Sequence, residues 1–421
     1  MMLFTFVYPL LMSYVWMAGA IAFYWRHERH DSSMTLPVLS HYPMVSLLLP
    51  CHNEQENVAS VVAQIMRSRY RHLEVLAVND GSSDATARLL DQLATEYPRL
   101  RVLHLTRNQG KAVALNTAVL AARGDILVGI DGDAWLEPNT ICWLVRHFND
   151  DPSVGAVTGN PRIRTRSTAL GRIQVGEFSS IIGLIKRAQH VYGRLFTVSG
   201  VVVAFRRSAL KAIGYWSHDM LTEDIDVSWK LQTAGWQLRY EPNARVWILM
   251  PETLRGLWKQ RLRWAMGGVQ VMRKYGWIMG CPQQRRMWPI YLEYMTSVLW
   301  AYLMAASILL TVAGSLFELP IAVGTIVPGW TGMLITCTCL LQFLLSLCLD
   351  SRYDFHLFRN FLWMIWYPII YWTLNMTTTV WAVPKVLMRP PGQRALWVSP
   401  DRGFQSAPIP GMRYERLPKT T

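Results

Sequence analysis

The chain is short of acidic residues, of patterned cysteines and of any repeat. Six cysteines, at positions 51, 142, 281, 337, 339 and 348, show no framework spacing. A disulfide-built fold is therefore excluded, and free, buried thiols in a reducing compartment are expected. No internal repeat or low-complexity tract occurs, which leaves a conventional domain and membrane segments to account for the length. Asp and Glu number 28 against 42 Lys and Arg, a net charge of +14. Such an excess suits nucleic acid, an anionic leaflet or anionic substrates. Position decides against nucleic acid: Arg26, Arg29, Arg285, Arg286, Arg352, Arg359, Lys385 and Arg389 border apolar segments, as cytoplasmic loops beside lipid headgroups do.

Apolar residues make up 51% of the chain and aromatic residues 12%, with 19 Trp, concentrated in roughly the first 25 and last 135 positions. The 421 residues leave room for one domain of roughly 200 to 250 residues and a few membrane spans. Residues 3–25 are long and apolar enough to span a bilayer as a helix. Arg26 and Arg29 follow this core, and no small-residue cleavage site is clear. Residues 1–26 therefore read as an anchor whose C-terminal end is cytoplasmic, and not as a signal peptide. Three more apolar stretches lie at roughly 288–315, 327–349 and 361–384, within a membrane region of 288–384. If all three cross, the tail (385–421) is outside, and Lys385, Arg389, Arg394 and Arg402 then violate the positive-inside rule. Either one stretch is interfacial or re-entrant, or the rule fails here.

After a polar linker at 27–43, β-rich runs at 45–49, 74–78, 101–105 and 126–130 alternate with helical patterns such as 57–67 and 85–96. This alternation predicts a parallel α/β sheet with ligands at the carboxyl ends of its strands. Further runs at 197–206 and 237–248 extend the domain over 43–250. Residues 252–275 mix Trp258, Leu262, Trp264, Met266 and Val269 with Arg255, Lys259, Arg261, Arg263 and Arg273. That pattern predicts an amphipathic helix at the membrane interface, within 251–280.

Five short strings occur in order: Pro50-Cys51-His52-Asn53-Glu54, Asn79-Asp80-Gly81-Ser82-Ser83-Asp84, Asp131-Gly132-Asp133, Thr222-Glu223-Asp224 and Gln260-Arg261-Leu262-Arg263-Trp264. A nucleotide-sugar donor loses a doubly charged diphosphate, which carboxylate-held Mg²⁺ or Mn²⁺ would neutralise. Asp133 suits the metal and Asp131 the nucleotide, although the plainer reading is an Asp-Gly turn. Asp80 can accept from a uracil N–H or a ribose hydroxyl, with Asp84 placed as a helix N-cap. Lys111 suits the donor phosphates or is a solvated surface lysine. Asp224 suits a base that deprotonates an acceptor hydroxyl, or is a first-turn acid of a capped helix. Gln260, Arg263 and Trp264 share a helix face, where Arg263 would clamp a diphosphate and Trp264 would stack on a sugar. Alone, the plain reading wins for the Asp131/Asp133 turn, for Asp224 and for the Gln260–Trp264 helix (an Arg/Trp interfacial helix without catalytic duty). It is even for Lys111 and compatible with the functional one for Asp80. All the plain readings together, in this order and before a membrane region, are improbable.

Together these strings resemble the processive family 2 glycosyltransferases, which include the cellulose, chitin and hyaluronan synthases. Residues 155–189, 196–210, 247–265 and 394–403 narrow the likeness to the synthases of β-1,6-linked poly-N-acetylglucosamine in biofilm matrix, over about residues 43–403. The resemblance implies an α/β GT-A (Rossmann-like) cytoplasmic domain in a multi-pass protein of the bacterial inner membrane. It implies UDP-N-acetylglucosamine (UDP-GlcNAc) as donor and Mg²⁺-dependent inverting transfer to a growing, exported polysaccharide. By the family's motif logic Asp80 and Asp131 contact UDP, Asp133 holds the metal, Asp224 is the base, and Gln260, Arg263 and Trp264 close over diphosphate and acceptor. Inversion needs one base and no covalent nucleophile, in keeping with the lack of a Ser-His or Cys-His arrangement.

Relatives often carry another N-terminal span, so with about four spans a small two-span accessory subunit or self-association is expected. Cyclic di-GMP activates some relatives; no separate domain for it occurs here, and Arg162, Arg164 and Arg166 read as a solvated face or an acceptor-side contact. The alternatives are a synthase of another polymer, a transferase loading one sugar on a polyprenyl phosphate, and a catalytically silent membrane protein.

Overall fold

The computed structural model describes residues 2–31, 35–317, 330–354, 356–390 and 392–397. One mixed sheet organises residues 45–248. Its strands are β1 (Val45–Cys51), β2 (Leu73–Asp80), β3 (Leu100–Leu105), β4 (Ile126–Ile130), β5 (Trp135–Leu136), β6 (Val154–Ile163), β7 (Val202–Arg206) and β8 (Gln237–Ile248), in the order β3-β2-β1-β4-β7-β6-β8-β5. Strands β1 to β4 pair in parallel. Every residue of β1, β2 and β4 is buried, as happens when helices cover both faces of a parallel sheet.

The sheet departs from the all-parallel expectation where β7 lies antiparallel between β4 and β6. Strand β6 escapes the sequence reading because Gly155, Gly159 and Pro161 mimic turn signals. All ten of its residues are nonetheless buried, so tertiary packing overrides local preference. The two-residue strand β5 is held by antiparallel pairing to β8.

Among the described residues, three helical segments are long and apolar enough to cross a membrane: Met2–Glu28, Pro282–Phe317 and Thr331–Asp350. The expected stretch at 361–384 stays helical but is not one regular α-helix, and it is not among the segments long and apolar enough to cross. It runs as tight turns over Leu357–Trp366, a wider turn over Pro368–Trp372, and an α-helix only from Thr373 to Leu387. Pro368 supplies no N–H, so the regular ladder fails there. The last helix lies beside the predicted amphipathic helix, which forms over Leu254–Tyr275; Arg273 donates to the Val386 carbonyl at 3.2 Å. Among the tail's basic residues, Arg402 lies outside the described residues.

All six cysteines are free, but only Cys51, Cys142 and Cys339 are buried. Cys337 and Cys348 are exposed on the apolar helix Trp330–Asp350, whose outer surface faces lipid if it spans, so burial of every thiol was too strong an expectation.

A chain of buried ion pairs joins this helix to the sheet. Arg187 contacts Glu28 at 2.7 Å and Asp350 at 2.8 Å, and all three side chains are fully buried. Asp350 also contacts Arg162 at 2.5 Å, and Asp354 pairs with Arg166. The solvated-face reading of the 162–166 arginines is therefore wrong. Arg162 and Arg164 are buried, with Arg164 3.8 Å over the Trp135 ring. Removing one member of such a network strands its partners in low dielectric, at a cost of about 3–5 kcal/mol. We expect Arg187→Met to lower the unfolding midpoint of detergent-purified protein sharply; an unchanged midpoint would show that water replaces the guanidinium.

Candidate active site

Strand β4 ends at Ile130, and the turn that follows carries Asp131, Gly132 and Asp133, closed by a 3.1 Å bond from the Ala134 N–H to the Asp131 carbonyl. Because β4 is an interior strand packed on both faces, the turn is fixed at the carboxyl edge of the sheet. Asp131 and Asp133 both line a cavity of about 710 Å³. The helix Leu254–Tyr275 forms the opposite wall with Arg255, Lys259, Gln260 and Arg263. Glu54 and Glu223 complete the acidic side, and Ala395, Leu396 and Trp397 are also part of the lining.

Lys111 is the tie among the carboxylates. Its Nζ lies 2.5 Å from Asp131, 3.0 Å from Glu223, and donates to the Gly200 carbonyl at 3.1 Å. Burial opposes its charge, yet Asp131 and Glu223 hold it protonated, above the ordinary lysine value. Its place at the start of helix Lys111–Ala121 depends on Gly110, which has φ 95° and meets the Ala395 carbonyl where a Cβ would stand. Neither demand can be met by another residue without strain.

Asp224 sits in the first turn of helix Glu223–Thr233 with Glu223 and Asp226. Thr222 makes no capping bond there, so the capped-start alternative holds only for the acids. Asp224 accepts from the Gly200 N–H at 3.2 Å and the Ile225 N–H at 2.9 Å. Burial, then the charge of Glu223, push it up to about 6 against the pull of Lys111 and Arg263. It is thus poised near neutrality, as a general base should be. Lys186, buried near it, is pushed down to about 8 by burial and is held up by Asp224. Asp226 turns away to Tyr275 and Lys274, at 3.0 and 2.6 Å.

The remaining expected residues divide. Gln260 and Arg263 face the cavity, and Arg263 donates to the Leu221 carbonyl at 3.3 Å. Trp264 is not part of the cavity lining; it packs against the sheet core, with the Arg261 guanidinium 4.3 Å from its ring centre. Arg261 is fixed in turn by Glu177 at 2.5 Å. Asp80 is fully buried, and its two oxygens accept from the Gln109 and Gly110 N–H groups, both at 2.8 Å. It therefore holds the 108–110 loop. Asp84 accepts from the Thr86 N–H at 2.9 Å, but the N-cap position itself is taken by Ala85, so Asp84 braces the first turn from one residue ahead of the expected place.

Sequence reasoning gave no role to Glu54, Glu223, Arg255, Lys259 or residues 395–397. Arg255, Lys259 and Arg263 repeat every four residues, a signal that could have placed all three on one face. The tail offers no such signal. It reaches the site through the Ala395 N–H bond to the His218 carbonyl at 2.9 Å and the Asn108 amide bond to the Trp397 carbonyl at 2.8 Å.

Among the described residues no three His, Cys, Asp or Glu side chains converge as a metal cage. Two carboxylates with neighbouring open volume instead fit a hard divalent cation whose other oxygens come from a bound diphosphate.

The family described as "Glycosyltransferase like family 2" matches residues 43–267. The chain belongs to glycosyltransferase family 2. Among curated members of this family, poly-β-1,6-N-acetyl-D-glucosamine synthase of Staphylococcus epidermidis is 36% identical over 404 residues, covering 95% of this chain and 98% of the relative. The synthase of that name from Staphylococcus aureus strain COL is 37% identical over 407 residues, with the same coverage. A solved structure, the mannosyltransferase PcManGT from Pyrobaculum calidifontis, matches with a TM-score of 0.56 at 20% identity, over 91% of this chain and 99% of the other. That likeness supports the fold alone, and the mixed sheet with its Asp-x-Asp turn after β4 is a GT-A domain.

Proposed function

We propose that this family 2 glycosyltransferase transfers N-acetylglucosamine from UDP-N-acetylglucosamine, with inversion, to a growing β-1,6-linked chain exported for biofilm matrix. The observation that carries the reading is the meeting, at one cavity, of the Asp131/Asp133 turn, Glu223 and the cationic face of helix Leu254–Tyr275; Asp224 is not in that lining but lies behind it, beside Glu223, Lys111 and Gly200. Identity to the two staphylococcal synthases across 95% of the chain supports the donor and the linkage.

In this reading Asp133 would hold Mg²⁺ or Mn²⁺, and Asp131, tied to Lys111, would face the nucleotide ribose or diphosphate; PcManGT is described with GDP-Man and Mn²⁺. The cation would neutralise charge on the departing diphosphate. Arg263, with Arg255 and Lys259, receives the phosphates from the opposite wall, and Gln260 orients the donor or acceptor beside them. Asp224 takes the proton from the attacking acceptor hydroxyl. Asp80 acts one step back from its expected role, by shaping the loop that leads into Lys111. Trp264 offers a stacking face only if Arg261 leaves its ring or the acceptor approaches from the other side.

The protein is proposed to sit in the bacterial inner membrane with three crossings. The Ala395 N–H bond to the His218 carbonyl keeps this part of the tail on the same side as the catalytic domain, which in this reading is the cytoplasmic side. Residues 357–387 then lie along the interface, and Lys385, Arg389 and Arg394 obey the positive-inside rule. Three spans make a thin path for a polymer, which favours the small accessory subunit the resemblance implies, with surrounding lipid and cyclic di-GMP as further partners.

Donor choice tests the proposal. Purified membranes with Mg²⁺ should release UDP from UDP-N-acetylglucosamine at least tenfold faster than from UDP-glucose or UDP-glucuronate; preference for another donor would refute it. The pH profile tests the base. With Asp224 raised to about 6, kcat/KM should hold above that value and fall as pH drops through it, because only the carboxylate accepts a proton. An acid limb near 4 would place the base elsewhere.

A further inference from the structure

A second cavity, of about 530 Å³, shares no lining residue with the first. It is bounded by the end of the first apolar helix at Phe23 and His27, by β8, and by Arg286 just ahead of helix Trp288–Phe317. Two membrane-entering elements meet there, so the cavity lies at the expected headgroup level.

Four arginines line it. Arg146 is answered by Asp31 at 3.0 Å and Arg239 by Asp151 at 2.5 Å. The other lining acids, Asp150 and Glu241, lie 3.9 Å from Arg146 and 2.8 Å from His147 respectively. Arg194 and Arg286 have no carboxylate within ion-pair distance among the described residues. Arg194 is half-buried, donates to the Gly193 carbonyl at 2.9 Å, and has a buried Nε without a partner. Burial, and then the charge of Arg286, hold Arg194 below the ordinary arginine value. Two guanidinium groups that line one partly enclosed cavity repel unless an anion joins them, and tetrahedral oxyanions match guanidinium donor geometry.

We propose that this cavity binds a phosphate group between Arg194 and Arg286, and that the phosphate belongs to an anionic lipid headgroup. The inference rests on the membrane reading above, and on neither the donor nor the product. Its place between two spans favours lipid, since basic pockets at that depth collect anionic headgroups.

The test uses the full chain purified in neutral detergent, with native mass spectrometry after addition of phosphatidylglycerol or phosphatidylcholine. The variants are the double substitution Arg194→Gln/Arg286→Gln and the single Arg285→Gln, which removes an adjacent charge outside the cavity. Wild type and Arg285→Gln should retain phosphatidylglycerol at least tenfold more tightly than phosphatidylcholine, and the double variant should lose that preference while still releasing UDP at the wild-type rate. Equal preference in wild type and double variant, or equal loss in Arg285→Gln, overturns the site. Thermal stabilisation by millimolar inorganic phosphate without lipid, abolished in the double variant, would keep the phosphate chemistry and overturn the lipid source. A wild-type chain that fails to float with neutral vesicles would overturn the membrane reading and the lipid source with it.

Discussion

Asp224→Asn should abolish sugar transfer while UDP binding stays intact. The substitution keeps the volume and, through its single amide oxygen, one of the two backbone N–H contacts from Gly200 and Ile225, but it removes the only group proposed to take the acceptor proton. Loss of a positioned general base costs on the order of 10³-fold, or about 4 kcal/mol of barrier. Glu223 is the internal control: it is committed to Lys111 at 3.0 Å, so Glu223→Gln should loosen that contact and reduce turnover by a smaller factor. Turnover under saturating donor, with UDP affinity by calorimetry, checks both. Survival of transfer in Asp224→Asn and its loss in Glu223→Gln would exchange their roles.

Asp133→Ala should fail in a different way. Removing a proposed metal oxygen weakens diphosphate binding and leaving-group stabilisation together, so UDP affinity in the presence of Mg²⁺ and turnover should both fall. The turnover loss is expected on the order of 10³-fold, since a divalent cation contributes several kcal/mol to such a transition state. Without divalent cation the variant and the wild type should bind UDP alike. Weaker binding of the variant in chelator as well would indicate collapse of the turn after β4 in place of a lost ligand.

The sequence made the catalytic half legible wherever chemistry and secondary structure coincide. The strands that carry Asp80 and Asp131 are short, apolar and bounded by turn residues, so their carboxyl ends could be located. Arg263 and Gln260 are visible because a helix repeats every 3.6 residues. Strand β6 was hidden by its glycines and proline, and the antiparallel insertion of β7 is a tertiary event with no local signature. Asp80 shows how far motif logic reaches: its position is right, yet the fully buried carboxylate is spent on the backbone of Gln109 and Gly110. The arginines at 162 and 166 read as surface because their partners, Asp350 and Asp354, lie 188 residues away in each case. A still longer separation, 289 residues between Asn108 and Trp397, hid the return of Ala395–Trp397 to the site. The interrupted stretch at 357–387 needed the structure as well, since composition cannot tell a span from an interfacial run of similar apolarity.

Product analysis tests the central claim most directly. Membranes containing the chain are given radiolabelled UDP-N-acetylglucosamine and Mg²⁺, with and without cyclic di-GMP, and the high-mass product is treated with a β-1,6-specific hexosaminidase. The account predicts labelled polymer that the enzyme degrades completely, and none from Asp224→Asn. Polymer that resists this digestion, or label confined to a single lipid-linked sugar, would contradict it.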